Sequence, residues 1–229
     1  MTLILTNDDG IDAPGIQALY TAVETLQLPN YIVAPKDHHS GCSHQLTTHR
    51  PMFLDQRGDR TFALDGTPAD CTRIAVTHLC PDATWVLSGI NAGGNLGADI
   101  YVSGTVAAVR EAALHRIPGI AISHFIKRGR PIDWAIATRL TQKVLTILLT
   151  EPLRAGCFWN VNLPHITADD PDPAIIPCVC CTQPLPTDIQ IEGNQIRYVG
   201  QYPKRARDPG ADVDLCFQGN ITISQICLW

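Results

Sequence analysis

Short apolar runs alternate with segments of helical periodicity through the first two-thirds of the chain, and this cadence constrains the fold more than any other feature. Residues 2–6 read as a buried strand. Pro14 can open a helix in its first turn, where a missing N–H costs nothing, and residues 17–26 repeat apolar positions at helical spacing. A second strand is predicted over 31–34, a small hairpin over 52–54 and 61–64, and a helix from Pro68 to about residue 78. Residues 85–87 form a strand that runs into a glycine-rich loop over 89–104. A helix over 106–115, a strand over 119–123, a long helix over 132–149 and a strand over 158–163 follow. Parallel strands need crossover connections, so this order predicts a mostly parallel sheet with helices on both faces. After Pro164, prolines, cysteines and short alternating patterns take over, as in Gln190-Ile191-Glu192 and Gln195-Ile196-Arg197-Tyr198. Two units are expected: an α/β unit over 1–164 and a smaller β-rich extension over 165–229. A strand over 221–226 closes the extension, which is expected to pack on the core and take part in dimerisation.

Composition excludes several classes. With 45% hydrophobic and 17% charged residues among 229, there is ample material for a core. A net charge of −5 without a basic block argues against a nucleic-acid polymer as partner, though a single nucleotide could still bind. The longest apolar stretch, around residues 144–149, is far too short to span a bilayer. The N-terminus enters a strand directly, without the basic region and cleavage site of a leader. Nine cysteines is an odd number, which excludes a fully paired disulfide framework and points to a reducing, cytoplasmic setting. Cys178, Cys180 and Cys181 lie close together, but no second pair at zinc-finger spacing accompanies them, so buried or loop thiols are expected there.

Four segments fall in loops that follow strands: Asn7-Asp8-Asp9-Gly10, Ser40-Gly41-Cys42-Ser43, Ser88-Gly89-Ile90-Asn91-Ala92-Gly93-Gly94-Asn95 and Ser103-Gly104-Thr105. In a parallel sheet all strand C-termini share one rim, so these loops can converge there. Adjacent carboxylates such as Asp8 and Asp9 repel unless a positive charge lies between them, and a hard divalent cation is the usual answer. Turn formation is the competing reading of the same residues. Ser40 and Asn91 add neutral oxygens, and an oxygen-only set suits Mg²⁺ or Mn²⁺. Ser103-Gly104-Thr105 precedes a helix, where backbone N–H groups and hydroxyls suit phosphate. Ser103 or Thr105 serves equally well as an ordinary N-cap. His38, His39 and His44 crowd the second loop as candidate ligands or acids. No GxxxxGK[ST], GxGxxG or GxSxG pattern is present, which argues against a P-loop triphosphatase, a dinucleotide enzyme and a hydrolase triad. Asn7 stands where an aspartyl-phosphate mechanism would want an acid, so metal-activated water is favoured over a covalent route.

Together these runs identify a resemblance. Leu5-Thr6-Asn7-Asp8-Asp9-Gly10-Ile11-Asp12-Ala13-Pro14-Gly15-Ile16, Val33-Ala34-Pro35, Ser40-Gly41-Cys42-Ser43, Gly66-Thr67-Pro68-Ala69-Asp70-Cys71, Ser88-Gly89-Ile90-Asn91-Ala92-Gly93, Asn95-Leu96-Gly97 and Ser103-Gly104-Thr105-Val106-Ala107-Ala108 occur in order. Gly210-Ala211-Asp212-Val213-Asp214 and Ile221-Thr222-Ile223-Ser224 follow near the end. The chain resembles the SurE family, the stationary-phase survival proteins and 5′/3′-nucleotidases. The resemblance implies an α/β fold with a Rossmann-like, mostly parallel sheet, helices on both faces and a β-rich C-terminal extension. It implies a metal-dependent phosphomonoesterase that hydrolyses nucleoside 5′- and 3′-monophosphates, with one Mg²⁺ or Mn²⁺ per subunit. By position, Asp8, Asp9, Ser40 and Asn91 are the implied metal ligands, with Asp8, Asp9 and Asn91 catalytic. Gly41, Asn95, Ser103, Gly104 and Thr105 are the implied phosphate contacts.

Three departures stand out. The chain stops at Trp229, where many relatives continue into an arm that assembles tetramers; a homodimer is therefore expected and a tetramer left open. His44-Gln45-Leu46-Thr47 replaces small polar residues, and Ala98-Asp99 replaces a pair of acids. Two other readings remain at this point: a non-catalytic nucleotide sensor, and a broad acid phosphatase.

Overall fold

The chain alternates strand and helix as expected. In the computed structural model, which describes residues 1–127 and 129–229, strand β1 (Leu3–Thr6) is followed by helix α1 (Pro14–Glu24) and strand β2 (Asn30–Pro35). The pair β3 (Leu54–Gly58) and β4 (Thr61–Leu64), helix α2 (Pro68–Ile74) and strand β5 (Trp85–Asn91) come next. Helix α3 (Gly104–Leu114), strand β6 (Gly119–His124), helix α4 (Trp134–Leu148) and strand β7 (Cys157–Leu163) complete the alternating part. The remainder holds β8 (Ile175–Pro177), β9 (Ile189–Glu192), β10 (Gln195–Tyr198), helix α5 (Asp212–Phe217) and β11 (Ile221–Cys227).

Local sequence explains the boundaries. Helix α2 opens with a capping box: the Thr67 side chain accepts from the Asp70 N–H, and the Asp70 carboxylate accepts from the Thr67 N–H. Ser103 caps α3 by accepting from the Val106 N–H, and Asp133 caps α4 by accepting from the Ile136 N–H. The Asp133 cap is why the long helix begins at Trp134 rather than at residue 132. After Ile74 the winding loosens into a π-helical turn, Ala75–Leu79.

Nine strands form one sheet in the order β3-β4-β2-β1-β5-β6-β7-β11-β8. Strands β2, β1, β5, β6 and β7 run parallel to one another; β3 and β11 are antiparallel to β4 and β7. Strand β1 shows why the sheet is covered twice. Successive side chains alternate across a strand. Leu3 and Leu5 enter a core with Ile16 and Leu19 of α1 and Leu140 and Val144 of α4. Ile4 enters a second core with Cys71 of α2 and Val106 and Val109 of α3.

Strand β3 runs over residues 54–58, later than the predicted 52–54, and is exposed throughout. An edge strand satisfies a ladder on one side only and needs no apolar run, so Asp55-Gln56-Arg57 leaves no strand signature. Beyond Pro164, β8 and β11 join the main sheet, whereas β9 and β10 form a separate two-stranded ribbon. Cys157 and Cys227, an opposed pair on β7 and β11, are joined by a disulfide, a bond at odds with the reducing setting expected from the odd cysteine count; the other seven cysteines, Cys178, Cys180 and Cys181 among them, are free. Among the described residues no helix is long and apolar enough to cross a membrane.

Candidate active site

The strand order reverses between β1 and β5. From β1 the chain steps outward to β2 and later returns on the other side to β5, which pairs with β1 in register Thr6↔Ser88. A crevice opens beyond the strand ends at such a switch point. Asp8 and Asp9 follow β1, and Asn91 closes β5. The β5–β6 register slips between Ser88 and Asn91, which oppose Ala121 and Ser123. Such an irregularity bends the strand and re-aims the side chain that follows. Strand β5 therefore carries Asn91 into the crevice, further than the predicted end at residue 87.

Asp8 is 5% exposed and its Oδ1 accepts the Thr105 hydroxyl proton. Burial pushes its carboxyl up to about 6; the Thr105 hydrogen bond opposes this and the neighbouring Asp9 adds to it. Among the described residues no Lys or Arg pairs with Asp8 or Asp9. Asp9 Oδ2 accepts from the Ala92 N–H at 3.2 Å, and Asp9 Oδ1 lies 3.3 Å from His38 Nδ1. The acidic pair is thus stitched to the β5 loop on one side and to the β2 loop on the other.

The β2 loop carries Ser40 and Gly41 and is held at several points. The His39 N–H donates to the Asp8 carbonyl at 2.7 Å, and the Ser43 N–H to the Val102 carbonyl at 3.1 Å. The Ser43 hydroxyl donates to the Tyr101 carbonyl at 2.8 Å. Further along, Asp70 accepts from the Thr47 N–H at 3.1 Å, and Glu111 takes His44 Nε2 at 2.8 Å.

Helix α3 points its N-terminus at Asp8. Gly104 brings the backbone close: a Cβ there would lie 2.8 Å from Asp8 Cβ and 3.0 Å from Cys42 Sγ. The N–H groups at the first helical positions, Gly104 and Thr105, have no intrahelical acceptor. Ser103 Oγ acts as the N-cap acceptor, leaving its proton available, so its capping and binding roles are compatible. Asn95 sits deeper. It is 6% exposed and its side-chain amide donates to Ser123 Oγ at 2.7 Å. Its N–H donates to Asn162 Oδ1 at 2.8 Å, and its carbonyl accepts from Asn160 and Asn162. Asn91 turns its amide to the Gly93 carbonyl at 2.7 Å.

The four predicted loops therefore meet on one rim. Two side chains of these loops are committed within the protein. His44 is turned to Glu111 on α3, whereas His38 is the histidine that reaches the acidic pair. Asn95 spends one of its two amide N–H donors on Ser123 within the protein. Of the buried carboxylates that brace the loops, Asp70, Asp99 and Asp212 stand in the sequence only as members of runs, without a bracing role, and Glu111 is not singled out there. Only the capping-box spacing of Thr67 to Asp70 signals one of them. Among the described residues no three His, Cys, Asp or Glu side chains cluster as a metal site. The oxygen set at the switch point has two carboxylates; the rest is hydroxyl and amide oxygen.

Comparison with known proteins bears on this arrangement. The profile of the family described as Survival protein SurE matches residues 3–183. A Nostoc sp. protein, provisionally named a 5′-nucleotidase, is 57% identical over 227 residues, covering 99% of both chains. The 5′-nucleotidase SurE of Paramagnetospirillum magneticum is 34% identical across 99% of this chain and 90% of its own. The crystal structure of the SurE protein from Aquifex aeolicus superposes with a TM-score of 0.86 at 27% identity, covering all of this chain and 94% of that one.

Proposed function

The chain belongs to the SurE survival-protein family and is a 5′-nucleotidase that hydrolyses nucleoside monophosphates; on that premise we propose that Asp8, Asp9, Ser40 and Asn91 hold one divalent cation, Mg²⁺ or Mn²⁺. The observation that carries this reading is the buried Asp8 carboxylate beside Asp9, without a Lys or Arg among the described residues to balance the pair and directly under the N-terminus of α3. Hard oxygen donors, carboxylate, hydroxyl and amide, fit such a cation. When bound, it supplies Lewis-acid polarisation of the phosphoryl group and acidifies a bound water.

The chain's own residues do the rest. The N–H groups of Gly104 and Thr105 and the Ser103 hydroxyl face the helix end, where an anionic phosphate is favoured. These fixed donors meet charge that grows on the phosphoryl oxygens during transfer. Gly41, exposed and free of a side chain, lets the β2 loop come close to the phosphate. Thr105 also fixes the Asp8 carboxylate through its hydroxyl, coupling the phosphate and cation subsites. Asn95 holds the loop in place through one amide N–H on Ser123 and offers the other to the phosphate. His38, with Nδ1 3.3 Å from Asp9 Oδ1, is the loop histidine best placed to move a proton at the acidic pair.

The test is phosphate release from 5′- and 3′-nucleoside monophosphates and an aryl phosphate, each with Mn²⁺, Mg²⁺ or EDTA. Release that needs the cation and prefers nucleotides is expected. Equal release in EDTA would sink the metal reading. No preference over the aryl phosphate would favour the broad phosphatase, and nucleotide binding without release the sensor.

Homodimer assembly through the extension is also proposed, supported by the β9–β10 ribbon. Ile189 opposes Tyr198 and Ile191 opposes Ile196, so all four share one face, and they are 49–80% exposed. An isolated two-stranded ribbon is marginal in water, and an apolar face of this kind marks an interaction surface. Ile191→Glu with Ile196→Lys should shift the light-scattering mass from dimer to monomer; an unchanged dimer would place the interface elsewhere.

A further inference from the structure

The loop between Asn95 and Ser103 carries both ends of the proposed phosphate site, yet its middle is held from the far end of the chain. Asp99 Oδ2 accepts from Arg205 Nη1 at 2.8 Å and from the Tyr202 hydroxyl at 2.5 Å. Arg205 Nη1 also donates to the Leu96 carbonyl at 3.3 Å. Asp212, fully buried, accepts from the Gly97 N–H at 2.8 Å through one oxygen and from the Cys181 N–H at 2.7 Å through the other. Gly97 has φ +52°, and a Cβ there would lie 2.7 Å from the Cys181 carbonyl oxygen. Leu96 packs with Cys181, Ala211, Val213 and Cys216 in a small core of its own.

The hydrogen bonds to Leu96, Gly97 and Asp99 each span more than a hundred residues, while the Asp212 bond to Cys181 ties two parts of the extension together beneath them. The Arg205 side chain is fully buried, with its guanidinium carbon 5.0 Å from the Tyr202 ring centroid. Its Nε and Nη2 have no hydrogen-bond partner among the described residues. A buried cation with two unused donors is costly unless its charge is matched elsewhere. Here the match is Asp99, whose own carbonyl accepts from the Ser103 N–H at 3.1 Å. Thus the cation of the extension reaches the α3 N-cap through a single residue.

We propose that Arg205, Tyr202 and Asp212 of the C-terminal segment are positioning residues for phosphate, acting through Asp99 and Gly97 to hold the 95–103 loop and the α3 N-terminus in binding geometry. The proposal rests on the phosphate subsite assigned above. It makes the extension part of the working active site. Outer-shell supports of this kind commonly govern affinity without touching the ligand.

The experiment uses the full chain, three single variants, Arg205→Met, Arg205→Lys and Tyr202→Phe, and one double variant. The double variant Arg205→Met/Asp99→Asn removes the uncompensated charge and guards against misfolding. Two quantities are read: inorganic phosphate affinity by calorimetry, and backbone hydrogen exchange over 95–103 against exchange in β1 and β6. Arg205→Met and the double variant should weaken phosphate binding about tenfold or more, with faster exchange confined to 95–103. Tyr202→Phe should give a smaller change in the same direction, and Arg205→Lys should recover part of the loss. For nucleotide hydrolysis the loss should fall mainly on KM. Folded variants with wild-type phosphate affinity and wild-type exchange in the loop would overturn the proposal. So would exchange that rises uniformly through the sheet, which would mark a general stabilising role. If the wild-type protein releases no phosphate from nucleotides, the nucleotidase reading fails, while loop exchange in the variants still decides this one.

Discussion

Asp8→Asn is expected to remove cation-dependent phosphate release, by about a thousandfold or more, and at the same time to stabilise the cation-free protein. Both effects have one cause. Burial raises the Asp8 carboxyl from 3.8 to about 6. Between those values the folded state holds a proton that the unfolded state has lost, so stability falls as pH rises through the window and stays reduced above it. A rise of that size corresponds to at most about 3 kcal/mol, a cost that a bound cation offsets. Asn has the same shape, keeps an oxygen for the Thr105 hydroxyl and carries no charge. In EDTA, thermal unfolding of the variant should therefore lie above wild type at pH 7 and converge with it below pH 4. A Tm below wild type at pH 7, or retained cation-dependent turnover, would show that Asp8 is a structural residue.

Glu111→Gln should act in the opposite sense on stability. The Glu111 carboxylate is almost entirely buried on α3 and takes Arg73 Nε at 2.6 Å, His44 Nε2 at 2.8 Å and His115 Nε2 at 3.1 Å. Burial alone would push its carboxyl up, but the His44 and Arg73 hydrogen bonds and charges outweigh it and hold it at about 2. A depressed carboxyl contributes stability that is present above 4.5 and lost as pH falls from there toward 2. Charge-assisted hydrogen bonds to a buried acid are worth about 1.5–3 kcal/mol each where both ends are dry; Arg73 is partly exposed, so about 2–3 kcal/mol in total is expected. Denaturant unfolding should show that deficit at pH 7 and its disappearance near pH 2. His44 then loses its anchor, and the β2 loop bearing Ser40 should loosen, with weaker cation activation. An unchanged midpoint at pH 7 would mean that the cluster is solvated and adds nothing.

The pieces of the site legible in the sequence are those that neighbours along the chain dictate. Leu3-Ile4-Leu5-Thr6 reads as a doubly buried strand because its apolar run has no polar face, and Asp8-Asp9 must then stand at its rim. Ser103-Gly104-Thr105 reads as a helix start because capping depends on residues three positions apart. The helix boundaries at Thr67 and Ser103 follow from the same short-range chemistry, whereas the Asp133 cap goes unread and the long helix is predicted two residues early. Edge strand β3 lies two residues beyond its predicted start because a one-sided ladder imposes almost no pattern on side chains.

What the tertiary structure decided are the pairings across long sequence separations. Sequence alone could name His44 as notable, but it could not say that Glu111 would claim it. Nor could it say that His38 would be the histidine left beside Asp9. The insertion of β11 between β7 and β8, the Cys157–Cys227 bond and the grip of Arg205 and Asp212 on residues 96–99 are likewise invisible locally. The physical reason is common to all of them. A strand's alternation or a helix cap is determined by hydrogen bonds within a few residues, so composition and spacing specify it. A buried ion pair is specified only by which surfaces the packed sheet brings together, since any exposed Arg and Asp in the chain carry the same local signal.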